Sequence, residues 1–266
     1  MGYSHKVSII MPAYNAGDFI AESIESVINQ EFVDWELIIV NDNSKDNTVE
    51  VVTPYLADER INLINNSVNL GGAASRNVAI KESKGRYIAF LDSDDLWFKD
   101  KLGSHIEFMT KNEIGFTYSN YYQFHGDESN TLITAPNKVN YDQMLLSNFI
   151  GCLTVVYDTA MFGKFYFPET KKRHDFALWL NMLKKFDYAY NVGFSLARYR
   201  VHSASLSSNK KDAFQSYFHV LHTLQNVSYF KALYYTFTFT CLSILKKKHS
   251  SLYFFTVNFL IKGIKF

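Results

Sequence analysis

An apolar run, Ile88 to Leu91, leads directly into Asp92, Ser93, Asp94 and Asp95. Neighbouring carboxylates repel one another and resist desolvation, so the stretch calls for a cation. In extended chain, residues two apart face the same way, which lets Asp92 and Asp94 converge on one point. Two hard oxygen donors suit Mg2+ or Mn2+, which keep positions open for phosphate oxygens. An ion held there would also admit a diphosphate, which bare carboxylates would repel. An Asp-rich solvated turn fits the same residues, and an isolated D-x-D does not separate the two readings.

The elements that must position these groups follow from apolar periodicity. Val7–Met11, Glu36–Val40, Ile61–Asn65 and Arg86–Leu91 read as strands. Between them, Ile20, Ile24, Val27 and Ile28 repeat at helical spacing, with Asp18 as the expected cap. Ser44 is the expected cap of a second helix that Pro54 bends or ends. Gly71 and Gly72 introduce a third, from about Ala73 to Ser83. Strands alternating with helices predict an α/β fold with a mostly parallel, twisted sheet covered on both faces. Ligands of such sheets lie beyond the carboxyl ends of the strands. Asn15, Asp42, Asn69 and Asp92 all fall there.

The second half is less regular. Gly115–Ser119 and Cys152–Tyr157 read as strands, and His174–Phe186 as a helix. Tyr234–Leu245 alternates like a strand but fits a helix equally well. Apolar residues at 47% and charged residues at 20% exclude a disordered chain and supply a sizeable core. Two cysteines, Cys152 and Cys241, form neither a disulfide framework nor a zinc set, which points to a reducing cytoplasm. The apolar stretch before Pro12 is too short for a signal peptide, and no window suits a membrane span. Charge is divided unevenly. Residues 199–266 carry a net +8 and residues 1–198 a net −7. Two apolar stretches edged by lysines in that tail suit an anionic membrane surface; a C-terminal helix pair packed on the domain is the other reading.

Four stretches in this order, "VSIIMPAYNAGDFIAESIESVINQ", "ELIIVNDNSKDNT", "NLGGAASRNVAI" and "GRYIAFLDSDDLW", resemble the family 2 glycosyltransferases, an inverting group with the GT-A fold. The resemblance is close over residues 6–102 and looser to about 208. It implies a GT-A domain over 1–208, with a nucleotide-sugar-binding half at 1–102 and an acceptor-binding half at 103–208. Residues 209–266 form a basic, aromatic extension, expected to be helical, that packs on the domain or associates with a membrane.

What the resemblance implies for single residues is specific. Pro12, Ala13, Tyr14 and Asn15 match the loop that holds the nucleotide, and Asp42 the base-binding Asp, whose carboxylate suits the uracil imide. Asn69, Gly72, Arg76, Asp92 and Ser93 complete the nucleotide-sugar set. Asp94 matches the metal ligand, and His202 a His that in some relatives closes over metal or pyrophosphate. Asp95 either caps the next segment or orients Asp94, and Arg200 is placed to pair with phosphate. Asp175 holds the position of the catalytic base at a helix head, where helix capping is the structural alternative. His174 stands where the family usually has Glu; it tunes Asp175, meets an acceptor phosphate, or competes as base. Trp97 and Trp179 either stack on sugars or fill the core.

The implied activity is metal-dependent, non-processive transfer of a hexose or N-acetylhexosamine from a UDP-sugar. The acceptor is expected to be a lipid-linked glycan at the cytoplasmic face of a bacterial membrane. A processive synthase would carry Gln-x-x-Arg-Trp, but Trp35, Trp97 and Trp179 lack a preceding Arg. A pyrophosphorylase would want a Gly-rich first loop in place of "PAYNAG". A nucleotide-sugar-binding module without turnover is the non-enzymatic alternative. The acidic site excludes nucleic acid as the expected partner.

Overall fold

The computed structural model describes residues 5–125, 128–170, 172–201, 210–248 and 250–260. The strands are β1 (His5–Ala13), β2 (Trp35–Asn41), β3 (Ile61–Asn65), β4 (Gly85–Phe90), β5 (Leu96–Trp97), β6 (Phe116–His125), β7 (Glu128–Ile133), β8 (Lys138–Val139), β9 (Val156–Asp158) and β10 (Ala189–Arg200). The helices are α1 (Ile20–Ile28), α2 (Thr48–Val52), α3 (Gly72–Glu82), α4 (Lys101–Asn112), α5 (Tyr141–Met144), α6 (Thr159–Phe162), α7 (His174–Leu183), α8 (Lys210–His219), α9 (Tyr229–Lys248) and α10 (Ser250–Leu260).

One sheet runs in the order β3-β2-β1-β4-β9-β6-β10-β5, with β7 beside β6 and β8 beside β10. The first four strands are parallel. β9 is antiparallel to both β4 and β6 and so joins them to the second parallel pair, β6 and β10. Alternation along β1 supplies both faces. Val7, Ile9 and Met11 pack with α1 residues Ile20, Ile24 and Val27 on one side. Ile10 packs with Phe90 and α7 on the other.

The chain reverses its direction of winding between β1 and β4, which opens a crevice at their carboxyl ends. The β1–β4 ladder stops at Ile10, two residues before Pro12, whose ring nitrogen carries no hydrogen. On the other side the ladder with β2 runs on to Ala13.

Helix α7 is buried on nearly all sides, from Phe176 through Leu180 and at Met182 and Leu183, which marks a central helix. The C-terminal helices cover it. Tyr217 stacks on Phe176 at 4.7 Å and on Phe239 at 4.1 Å between ring centres. Tyr217, Val220, Leu221, Ala232, Leu242, Tyr253 and Val257 belong to the same buried cluster as Trp179. Trp97 and Trp179 are both core residues, 5% and 0% exposed, which removes them as sugar platforms.

Several local expectations are corrected. Helix α1 begins after Phe19 with no side-chain cap, so Asp18 does not cap it. Ser44 caps nothing; its Oγ accepts the Asn15 N–H at 3.0 Å, and α2 begins only at Thr48. Pro54 does end α2, inside a 3-10 turn. Cys152–Thr154 is a 3-10 turn and only Val156–Asp158 is strand. The ambiguous tail is helical throughout α9.

Candidate active site

The crevice is closed on the β2 side by hydrogen bonds between the loops that follow β1 and β2. Asn15, with φ at 49°, accepts the Lys45 N–H at 2.8 Å, Ala16 donates to Thr48 Oγ1 at 2.8 Å, and Gly17 donates to Asp46 at 2.9 Å. Pro12 and Ala13 lie beneath this lock, while Tyr14, Asn15 and Asn69 stand exposed on its rim.

Asp42 ends up 2% exposed. Its Oδ1 accepts the Leu70 N–H and the Asn66 amide, and its Oδ2 accepts the Gly71 N–H, each at 2.8 Å. Burial alone would raise the Asp42 carboxyl. The donors from Leu70, Asn66 and Gly71, with Ser75, outweigh it and hold the group below its usual value. Asp42 therefore ties β2 to the loop that starts α3. Gly71 occupies φ +85°, a conformation that side chains disfavour. Gly72 makes room for Arg76, whose Nη1 would lie 3.1 Å from a Cβ added there.

Arg76 is 6% exposed, from the inner face of α3. One arm of its guanidinium pairs with Asp92 and the other meets His174 Nε2 at 3.1 Å. A guanidinium offers only N–H groups, so His174 receives the bond as a neutral imidazole protonated on Nδ1. Burial and the Arg76 charge agree with this and push the imidazole below its usual value, against Asp175 and Asp92. With Nε2 engaged by Arg76 and Nδ1 protonated, the imidazole offers no free ring lone pair in this arrangement. Among the described residues Arg76 Nε–H has no acceptor.

The acidic stretch that follows β4 is relieved in three ways. Arg76 takes Asp92. Arg200 donates its backbone N–H to Asp95 at 2.9 Å and its Nε–H to the Asp94 carbonyl at 2.8 Å. Its remaining arm reaches Glu22 at 2.8 Å. Asp95, 1% exposed, is pushed well above the usual carboxyl value by burial and then by Asp92 and Asp94. Arg200 is thus an organiser of the acidic loop, held also between the rings of Phe19 and Phe124. Ser93 and Asp94 are half-buried beside it. His202 lies outside the described residues.

A cavity of about 450 Å³ gathers Arg76, Asp92, Asp95, His174 and Asp175. Five of the residues singled out by sequence thus meet at one place. Asp175, in the first turn of α7, faces Asn148 Nδ2 at 3.5 Å. Arg173 precedes the helix at φ 60° and spans Tyr217 and Phe239, which fixes the helix head against the C-terminal helices.

Sequence reasoning missed Tyr121, Asn148, Cys152, Tyr199, Lys246 and Tyr253, which also line this cavity. Tyr199 adjoins Arg200 and is the one that proximity to a motif could have shown. Its hydroxyl is pushed up to about 12 by burial and by Asp95, Asp94, Asp92 and Asp175, so it stays a proton donor.

The donor chemistry fits a divalent cation. Asp92 and Asp94 carry hard oxygens, but residues 92–95 form a turn closed by the Asp95 N–H on the Asp92 carbonyl at 3.1 Å instead of the extended chain that would aim both carboxylates at one point, and of the two Asp92 alone lines the cavity. Among the described residues no cluster of three His, Cys, Asp or Glu is placed to hold a metal. Further ligands would come from a bound diphosphate and water.

The family model described as "Glycosyl transferase family 2" matches residues 8–170. A Bacillus subtilis (strain 168) protein assigned by name to teichuronic acid biosynthesis, TuaG, is 40% identical over 229 residues, 85% of this chain and 91% of that one. An Escherichia coli protein, "UDP-Glc:alpha-D-GlcNAc-diphosphoundecaprenol beta-1,3-glucosyltransferase WfgD", is 44% identical over 205 residues, 77% of this chain and 80% of that one. Among solved structures, S. aureus TarS 1-349 in complex with UDP-GlcNAc matches with a TM-score of 0.71 at 21% identity, covering 93% of this chain and 75% of that one. The fold is the GT-A fold that the sequence motifs imply.

Proposed function

The chain belongs to glycosyl transferase family 2, and from that premise we propose that it transfers a hexose or N-acetylhexosamine from a UDP-sugar to a hydroxyl of a lipid-linked glycan in bacterial surface-polysaccharide synthesis. The observation that carries this reading is the shared cavity: Asp175 and Asp92 line one space, so a base and a donor site face each other. The name of WfgD, with UDP-glucose as donor and a diphosphoundecaprenol-linked sugar as acceptor, supports the substrate classes.

In the proposed reaction the acceptor oxygen forms a bond to the sugar's anomeric carbon while the bond to the diphosphate breaks on the opposite face. Asp175 takes the hydroxyl proton, and UDP departs with the bonding electrons. Asn148 orients the Asp175 carboxylate. Arg76, braced by Asp92 and His174, would set its positive charge against the leaving diphosphate. When bound by Asp92 and Asp94, Mn2+ or Mg2+ would supply Lewis-acid stabilisation of the charge that grows on that diphosphate. Asp42 is enclosed by the 66–71 loop, so reading a uracil there requires Leu70 and Gly71 to release its oxygens. Pro12, Ala13, Tyr14, Asn15, Asn69, Gly72 and Ser93 remain the proposed frame of the nucleotide pocket, and His202 a proposed further ligand. Residues 1–208 would be the catalytic domain.

One sugar is added per encounter in this reading, because the Gln-x-x-Arg-Trp motif of processive synthases is absent. Among the described residues no helix is long and apolar enough to cross a membrane. Helices α9 and α10 instead each carry an exposed apolar stripe. Phe230, Leu233, Tyr234, Phe237 and Ile244 follow helical spacing along α9, and Leu252, Phe255 and Phe259 along α10. No acidic residue follows Asp212, whereas six lysines do. That charge is complementary to an anionic bilayer at the cytoplasmic face, the occupant we assign to these stripes.

Transfer from UDP-sugars to a diphosphate-linked acceptor, assayed with Mn2+ and after chelation, tests the reading. Asp175→Asn should lower kcat at least about a thousandfold while UDP still binds by calorimetry. Full activity in that variant would overturn the assignment of the base. For the bilayer, the double variant Phe230→Ser, Phe237→Ser should lose sedimentation with phosphatidylglycerol vesicles; unchanged sedimentation would place the contact elsewhere.

A further inference from the structure

Lys246 stands apart from the other lysines of the tail. The apolar stripe of α9 points outward, and Lys246 lies on the opposite side of that helix, with Ala232, Thr236 and Leu242, which face the core. Its side chain lines the cavity that holds Asp175 and Arg76. The Nζ lies 5.6 Å from the centre of the Tyr253 ring on α10. Tyr253 in turn hydrogen-bonds Ser147, beside Asn148. The lysine is open to solvent at the cavity mouth, yet its surroundings desolvate the ammonium enough to lower it from its usual value.

Two charge arguments bear on its purpose. Arg76, the other cation of the cavity, is paired with Asp92 and assigned above to the donor's diphosphate. Lys246 has no carboxylate within ion-pair distance among the described residues. A partly desolvated ammonium without a counter-ion is a ready site for an anion. Its position also has an order to it. The exposed apolar stripe lies on one side of α9, Lys246 on the other, and Asp175 across the cavity. A lipid-linked acceptor has the same order: chain, diphosphate, sugar.

We propose that Lys246 is the acceptor-side anion contact, binding the diphosphate that joins the acceptor sugar to its lipid. The inference rests on the lipid-linked acceptor proposed above. It adds that the C-terminal helices form a wall of the acceptor subsite as well as a membrane face. The donor's own diphosphate is the competing source of the same chemistry, and the experiment separates the two.

The full-length enzyme is assayed with UDP-glucose and two synthetic acceptors that carry the same sugar on an undecyl chain. In one the sugar is linked through a diphosphate, in the other directly through a glycosidic oxygen. Wild type should prefer the diphosphate acceptor in kcat/KM. Lys246→Met should reduce that preference at least about tenfold, and Lys246→Arg should restore most of it. Three results would overturn the proposal: an equal loss on both acceptors, a matching rise in the KM for UDP-glucose, or an unchanged preference. If wild type transfers to neither acceptor from any UDP-sugar, the lipid-linked reading itself fails and the role of Lys246 falls with it. Thermal unfolding of each variant identifies a loss that is merely structural.

Discussion

Residues 5–102 and the C-terminal helices bring charge to the same cavity by opposite routes. In the first, a strand ends where its chemistry begins: Asp92 follows β4 and lines the cavity, while Asp42, outside it, follows β2 in the same way. Neighbours in sequence remain neighbours in function. In the second, Lys246 and Tyr253 reach the cavity only because α8–α10 fold back over α7. The first arrangement depends on backbone ladders. The second depends on side-chain packing, chiefly the Phe176–Tyr217–Phe239 stack. A strand-end site is thus built into a rigid sheet, whereas the opposite wall is held by aromatic contacts that a single truncation can loosen.

Four variants bear on that contrast. Tyr217→Ala removes the middle ring of the stack and an O–H donor to the Leu145 carbonyl at 3.1 Å. It should cost about 3–5 kcal/mol, read from the denaturant midpoint, and open the tail to limited proteolysis. Arg76→Met deletes one half of a largely buried ion pair on the sheet side. The full buried-pair penalty is discounted because the Asp92 side chain is 31% exposed, leaving a loss of about 2 kcal/mol. Were Arg76→Met the costlier of the two, the contrast between rigid and packed walls would be reversed.

Lys101 supplies a pH test. It is fully buried beneath the site, 3.2 Å from His105 Nε2 and 3.1 Å from the Thr154 carbonyl, and burial lowers its ammonium to about 7. Between about pH 7 and the ordinary lysine value the unfolded chain binds a proton that the folded chain does not. Stability from this group therefore rises with pH across that window, and its absence is fully felt below it. Lys101→Met should flatten this rise, changing Tm by about 5 °C relative to wild type between pH 7 and pH 10 in calorimetry. The smallest effect belongs to Gly71→Ala. A side chain forced to φ +85° should cost about 1 kcal/mol and disturb the two N–H donors that hold Asp42. UDP affinity measured by titration should change with it.

The contrast also explains what the sequence could disclose. Asp92, Arg76, His174 and Asp175 were legible because local motifs mark the ends of regular elements. Ser44 misled because its hydroxyl serves Asn15, 29 residues away, instead of its own helix. Cys152–Tyr157 reads as strand from its apolar run, yet Leu153 and Thr154 give their carbonyls to Trp97 Nε1 and Lys101 Nζ. Those bonds bend the chain into a turn. In the tail, alternation of aromatic and Thr residues resembles a strand. The Thr236 and Thr240 hydroxyls instead bond the carbonyls four residues earlier, and Ala232 and Leu242 bury one helical face. Nothing local could reveal Asn148 or Lys246, because neither lies in a motif and both arrive by long-range packing.

The three-residue strand β9 has a bearing on motion. It pairs with β4 through Tyr87, Ile88 and Ala89 and with β6 through Phe116 and Thr117, and Arg86 clamps its Asp158 at 2.7 Å. This splice joins the β3-β2-β1-β4 strands and the β6–β10 pair into one continuous sheet. Under the proposed function, the continuous sheet favours access by rearrangement of surface segments, such as the one that encloses Asp42, over separation of the two strand sets.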